Sequence, residues 1–526
     1  MSLDPVTTEI IRSALVYASE EMGIAVRNSA YSPNIKERLD HSCALFDSKA
    51  RLIAQAEHIP VHLGSLPWGL RRTLEVIDRE RGGVSPDEMW VVNDPYISGT
   101  HLNDVTVIRP IFFQDELIGY AANKAHHTDV GGMAPGSMSA DAPDLFAEGL
   151  VVPPMRLVEN NRDVGETLAL FRSNSRTPGA RSGDLRAQTA GNYTGERRFI
   201  ELFERYGRQL VEAAIERILN ESEAQMRAAL GRLGAGVFEA SDTLEDREGA
   251  PSIRIVLRLT LEGGEARLDY SGTSPQLPYP MNAVYGVTLS GVYYALRALT
   301  DPALSMNEGC FRPVRVDVPA GTLLNPLRPA PVSGGNVETS TRNADVVLAA
   351  LAKAAPDRIP AQSGGTMSNV MIGGTRRDGS PWAFYETNGC GMGARPTAHG
   401  LSGIQCHMTN TLNTPIEAIE RDYPLRIRRY EFADRTGGAG RFHGGDGLVR
   451  ALELTEGSAR VSLLAERHSV APCGAKGGAN GVPGRHTLRR RDGSEELLPA
   501  KTTIGLQPGE TVIVQTPGGG GYGKAL

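Results

Sequence analysis

The residues best suited to chemistry crowd into the first quarter of the chain. Six of the eleven histidines, His41, His58, His62, His101, His126 and His127, precede residue 128, and none follows until His399. That asymmetry points to a reactive site in the N-terminal part. There, 99-GTHLNDVTV-107 sets His101 three residues before Asp104, ahead of a strand-like run, and 125-AHHTDVGG-132 offers His126, His127 and Asp129. Imidazole nitrogens combined with carboxylate oxygens suit zinc, manganese or ferrous iron better than copper or calcium. His101, Asp104 and His126 with one further carboxylate and an open position would make a catalytic rather than a closed structural site. Asp40, in 37-ERLDHS-42, is the candidate for that carboxylate. The plainer alternative is a set of hydrogen-bonded loop closers with no ion between them.

The two clusters meet if 105-VTVIRPIFF-113 and 117-LIGYAANKA-125 form a hairpin. Opposed residues in an antiparallel pair have numbers of constant sum. A three-residue loop of Gln114, Asp115 and Glu116 gives 230, setting Asp104 opposite His126 and His101 opposite Asp129. A two-residue turn gives 231 and pairs Asp104 with His127 instead. Spacing leaves the choice between the two histidines open, but either register gathers the polar residues at the mouth of one ribbon. In a regular strand His101 and Asp104 would face opposite ways, so the loop at Gly99 has to turn His101 back. Pro110 has no amide hydrogen and is expected at an edge or a bulge.

Other candidates are weaker. His58 and His62, in 57-EHIPVHLG-64, have the spacing of a helical metal pair, but Pro60 between them opposes a regular helix. They are expected to line a pocket or hold a loop. Ser137, in 135-PGSMS-139, lacks the strand-to-helix elbow of a hydrolase serine and reads as part of a glycine turn. The tail 518-GGGGYGKAL-526 nearly spells a phosphate loop, yet Ala525 stands where a hydroxyl is required and the phosphate-binding helix has no sequence to form from. Any ATP is therefore expected on another chain.

A scaffold must position these side chains. Asp4 and Pro5 open a helix whose Ile11, Leu15, Ala18, Met22 and Ala25 recur on one face. Segments 42–47 and 51–55 read as a hairpin, Ser65 with Pro67 as the start of a helix to about Ile77, and 87–92 as a strand. Residues 197–233 are helical and charged enough to be a spacer. Beyond them 253–261 and 265–272 alternate like strands, 344–354 is helical, and the last hundred residues are rich in strands and glycine turns. The expected fold is multidomain α+β, with mixed and antiparallel sheets, flanking helices and a β-rich C-terminal region. Its expected domains are a metal-bearing α+β unit at 1–235, a central α+β unit at 236–415 and a glycine-rich β unit at 416–526.

Composition narrows the classes. A chain of 526 residues exceeds a single core, and 40% hydrophobic with 22% charged residues argues against disorder. A net charge of -6 with acid and base intermixed offers no basic stripe for nucleic acid. Five cysteines without a CxxC indicate neither a disulfide framework nor a thiolate zinc site, so a cytoplasmic setting is expected. Neither a basic leader with an apolar core nor about eighteen consecutive apolar residues occurs, so export and membrane spanning are not expected.

The stretches 36-KERLDHSCALFD-47, 57-EHIPVHLGSLP-67, 93-NDPYISGTHLNDVTVIRPIF-112 and 125-AHHTDVGGMAPGSM-138 resemble the hydantoinase B family. So do 269-DYSGTSPQ-276, 306-MNEGCFRPVRV-316, 409-TNTLNTPIEAIE-420 and 435-RTGGAGRFHGGDG-447, and the resemblance runs nearly the full length. Relatives include the C-terminal half of ATP-dependent 5-oxoprolinase and a subunit of acetone and acetophenone carboxylases. The resemblance implies a divalent metal, zinc or manganese, bound by Asp40, His101, Asp104 and His126. It also implies a hydantoinase A type partner carrying ATP and magnesium. Ser98 stands where glycine is commoner in the pattern, without touching an implied ligand. The expected activity is ATP-dependent hydrolysis of a cyclic amide (a hydantoin, a lactam or 5-oxoproline), with His127 or Asp129 relaying a proton or orienting a ligand. The alternative is a subunit of an ATP-dependent ketone carboxylase.

Overall fold

In the computed structural model, residues 4–56, 58–300 and 304–525 are described. Glu57, the first residue of the His58–His62 motif, lies outside them. The architecture is α+β, as expected, with four sheets among the described residues. The sheet that matters here has seven strands: β1 (His41–Asp47), β2 (Leu52–Gln55), β3 (Met89–Val92), β4 (Asp104–Phe113), β5 (Glu116–His126), β6 (Met155–Glu159) and β7 (Arg162–Asp163). Their order is β2-β1-β5-β4-β3-β6-β7, antiparallel throughout.

Register decides which residues share a face. Asp104 opposes His126, Thr106 opposes Lys124 and Ile108 opposes Ala122, while Ser42 on β1 opposes Lys124 from the other side. One face therefore carries Ser42, Asp104, Lys124 and His126. The helix His62–Arg81 packs on this face through Leu66, Leu70 and Ile77 against Phe46, Ile108 and Ala122. It begins three residues before the expected Ser65 and keeps Pro67 inside, where the ring forfeits one early backbone bond only.

The opposite face is covered by Pro5–Ser29, capped by the Asp4 carboxylate accepting from Thr7 N–H at 3.0 Å, and by Pro178–Tyr206. Here the expected spacer proves to be core. Residues 178–231 form two helices parted at Gly207 (φ 75°). The first buries Phe199 and Phe203, and from it Gln188 and Asn192 donate to the β4 carbonyls of Val105 (2.8 Å) and Val107 (3.0 Å). These side-chain amides tie the helix to the backbone of the buried strand.

A four-stranded sheet, Gly236–Leu244, Ile253–Glu262, Glu265–Asp269 and Val314–Asp317, has its last two strands parallel. Another joins Asn369–Thr375 and Pro381–Glu386 to Ser458–Leu464 and Lys501–Leu506, pairing strands from either side of residue 415. The fourth has five strands, all beyond residue 424. The helix Tyr285–Leu299 comes within backbone distance of the site: Ser290 Oγ accepts from Gly64 N–H and Ser65 N–H at 3.0 Å each. The glycine-rich tail packs closely against neighbouring backbone; a Cβ on Gly519 would meet Met392 O at 2.1 Å. No described helix is long and apolar enough to cross a membrane.

Candidate metal centre

The hairpin register at its mouth sums to 230, but through two compensating features. The turn is the two-residue Gln114-Asp115, with φ of 52° and 63° as a primed turn requires, and Phe113 opposes Glu116. A bulge between Ile111 and Phe112 then shifts the pairing by one. Pro110 lies past the last β3 pair, Trp90 with Ile108, where no ladder bond is demanded of it.

His101 is turned back by a tight reversal. Gly99 (φ 87°) ends the short helix Pro95–Ser98, and Asp104 N–H then bonds His101 O at 3.1 Å. His101 and Asp104 consequently share a side. Lys124, on the same sheet face, donates to Ser98 O (2.7 Å) and Thr100 Oγ1 (3.1 Å), fixing the turn from below.

The result is a compact set of donors. His101 Nε2 lies 3.1 Å and His126 Nδ1 3.4 Å from Asp104 Oδ1, and the two ring nitrogens are 3.2 Å apart. All three residues are buried. Ligands about 2.0–2.2 Å from a common ion would have edges of about 3.3–3.6 Å in a tetrahedron and about 2.8–3.1 Å in an octahedron, a span that brackets the separations here, so the donor types and their spacing fit a divalent cation. Burial alone would raise the Asp104 carboxyl, but the charge of His101 and hydrogen bonds from His101, His126 and His62 hold it well below the carboxylate range. Burial holds His126 below the ordinary histidine value, with Asp104 opposing.

Sequence reasoning missed two neighbours. His62, at the start of its helix, sets Nε2 3.3 Å from Asp104 Oδ2 while Nδ1 lies 2.9 Å from Ser42 Oγ. Its spacing from His58 suggests a pair; the partner is instead Asp104, across the sheet face. The ring of Tyr385 stacks on His126 at 4.6 Å and 16°, with Arg38 over the same ring at 4.8 Å. No local motif marks Tyr385, because it arrives from a different sheet.

The family model described as Hydantoinase B/oxoprolinase matches residues 4–525. The chain belongs to the hydantoinase B/oxoprolinase family. It is 46% identical to a Methanocaldococcus jannaschii protein of uncharacterized function, covering 99% of this chain and 91% of that one. It is 36% identical to 5-oxoprolinase 1 of Arabidopsis thaliana over 99% of this chain, and spans only 42% of that protein's length. The B-type component of a provisionally named D-/L-hydantoinase from Pseudomonas sp. (strain NS671) matches at 32%, covering 100% of this chain and 90% of the relative. Among solved structures, an ATP-dependent caprolactamase from Pseudomonas jessenii superposes with a TM-score of 0.92 at 33% identity, covering 100% and 92%. An acetone carboxylase shares the fold, with a TM-score of 0.90 at 18% identity over 99% of this chain and 76% of that one.

Of the residues singled out in the sequence, His101, Asp104 and His126 converge, and Asp40, His127 and Asp129 stand beside them with contacts of their own. The Asp40 carboxylate lies 4.0 Å from Arg38 and acts on His126 through its charge, and the Asp40 carbonyl accepts from His126 N–H at 3.0 Å. His127 Nε2 lies 2.9 Å from Gln188 Oε1; since Gln188 donates its amide to Val105 O and Asn123 Oδ1, His127 is the donor. Asp129 receives Gly131 N–H and Arg176 N–H on one oxygen and Gly136 N–H and the Arg176 guanidinium on the other, all within 3.1 Å. It organises the loop it stands in. Ser137, in that loop, accepts from Val130 N–H and donates to Gly131 O, the turn role expected of it.

Proposed function

We propose that this chain is the metal-bearing subunit of an ATP-dependent cyclic-amide hydrolase, opening a hydantoin, a lactam or 5-oxoproline. The observation that carries the reading is the convergence of His101, Asp104 and His126 in a chain similar along its whole length to an ATP-dependent caprolactamase. The 5-oxoprolinase and hydantoinase relatives support the same reaction class. Likeness to acetone carboxylase is one of fold, and a shared fold does not carry ketone carboxylation with it.

An unstrained ring amide is a poor electrophile, and phosphorylating its carbonyl oxygen makes it a good one. We assign ATP, magnesium and the phosphorylation step to a hydantoinase A type partner, in keeping with a hydantoinase relative that is itself named as a B subunit. A divalent cation, zinc or manganese, held by His101, Asp104 and His126 would supply Lewis acidity and draw the pKa of water toward neutrality. The chain's own residues prepare that site. Asp104 stays ionised, His62 orients its second oxygen, and Tyr385 fixes the plane of the His126 ring. Asp40, whose charge favours positive charge at His126, is kept as the candidate fourth ligand. We assign His127 to tying the ribbon to Gln188 and Asp129 to holding the loop that follows it. Burial of the triad keeps bulk water from its donor atoms.

Co-purification with the partner, followed by a screen of ring amides and ketones for substrate-dependent ATP hydrolysis, tests the reading. Ring-opened product formed with ADP is expected; bicarbonate-dependent consumption of a ketone would favour the carboxylase instead.

A further inference from the structure

A cavity of about 610 Å³ opens between the helices Tyr285–Leu299 and Ser340–Ala354 and the segments near residues 392 and 406. Leu348 and Met392 form part of its apolar wall, and Ser363, Cys406 and His407 its polar end. His407 adopts φ 61°, with Nε2 3.1 Å from Asp345 Oδ1 and Nδ1 3.3 Å from the Tyr294 hydroxyl. Cys390, 1% exposed, exchanges both backbone bonds with Ile404 at 2.9 and 3.0 Å. Cys406 follows two residues on from Ile404, and its thiol is in hydrogen-bonding contact with that of Cys390. Both are free. Contact with Cys390 holds the Cys406 thiol below its ordinary value, His407 adding to this against burial, while the same contact and burial raise Cys390.

We propose that Cys406 is an oxidation site, at which a small hydroperoxide entering this cavity drives a disulfide with Cys390. The Cys406 thiolate attacks the terminal peroxide oxygen and the O–O bond breaks, giving a sulfenic acid and an alkoxide or hydroxide that takes up a proton. Cys390 sulfur then attacks Cys406 sulfur, and the hydroxyl leaves as water with the Cys390 proton. Two thiols are oxidised and one peroxide is reduced. The bond bears on the metal centre through one short segment. Met408 O accepts from Val61 N–H at 3.2 Å and Asn410 Nδ2 donates to His58 O at 3.1 Å, so the chain leaving Cys406 clasps the loop that delivers His62 to Asp104.

The test is peptide mapping of the full chain after hydrogen peroxide, with unfolding and iodoacetamide blocking before digestion. A cross-linked pair joining Cys390 to Cys406 is expected, two hydrogens lighter and reversed by dithiothreitol. Cys406→Ser removes it, and Cys473→Ser at the exposed cysteine leaves it. The proposal is overturned if Cys406 ends as a sulfinic acid with Cys390 still alkylated, or if both stay reduced at doses that oxidise Cys473.

Discussion

His101 Nε2 and His126 Nδ1 face each other at 3.2 Å, and both approach the same oxygen, Asp104 Oδ1. Two ring lone pairs at that separation repel unless a proton or a cation lies between them. The ionised carboxylate and the edge lengths favour the cation.

Metal binding is the first consequence. The chain is expected to bind one zinc or manganese per molecule, and His101→Ala or His126→Ala to lose it. Metal analysis after gel filtration reads the stoichiometry. A variant that keeps one equivalent would remove that histidine from the site.

His62→Ala is expected to weaken metal binding by about 10–100-fold, the usual effect of removing an outer partner that orients a ligand. His127→Ala is expected to leave the affinity unchanged, at a stability cost of about 1 kcal/mol for the lost bond to Gln188. Chelator competition and urea melts separate the two. Equal losses of affinity would contradict the assignment.

Acid should destabilise the metal-free chain earlier than its carboxylates alone would. Burial holds His41, His127 and His486 neutral, His41 down to about 3. The unfolded chain protonates each near pH 6.5 while the folded one does not. Stability therefore falls as pH drops below about 6.5, by up to about 1.4 kcal/mol per unit for each ring until the folded histidine itself titrates. Asp104, held low, contributes stability that persists above the unfolded carboxylate value of about 3.9 and goes only as pH nears its folded value. Denaturation in chelator at pH 7.5 and 5.5 should show a lower midpoint at 5.5, and His486→Leu should shrink the difference. Identical midpoints would mean that these rings are protonated in the fold.

Asp129→Ala leaves three backbone N–H donors and a partly buried guanidinium without this acceptor. A loss of about 3–5 kcal/mol is expected, as for one partner removed from a buried ion pair. Residual hydrolysis by whatever fraction remains folded, at the wild-type turnover per folded chain, would fit a loop-holding role. Turnover abolished in a fully folded variant would return Asp129 to the chemistry.

How much of this is legible in the sequence depends on the range of the contact. The Asp104–His126 pairing is readable from a hairpin, because register propagates along two adjacent strands. Even so, it comes out right only because a shorter turn and an unforeseen bulge cancel. Turning His101 inward needs a glycine and a reversal, and Gly99 marks the place. The four-residue step from His58 to His62 hides the true partner, since spacing within one segment says nothing of which sheet residue a helix's first turn meets. Tyr385 is invisible, arriving from a strand some 260 residues beyond its partner. Residues 197–233 look like a charged spacer because the apolar side chains that anchor them in the core, Phe199, Phe203, Ile215 and Ile218, stand among charged neighbours that dominate the composition.

The most direct test of the central claim is ring-amide hydrolysis by the complex of this chain with its ATP-binding partner, comparing wild type with Asp104→Asn. The wild type, metal-loaded, is predicted to release ring-opened product with ADP, and the variant to bind partner and nucleotide yet release none. Product formed by Asp104→Asn or by metal-free protein at the wild-type rate would contradict the account.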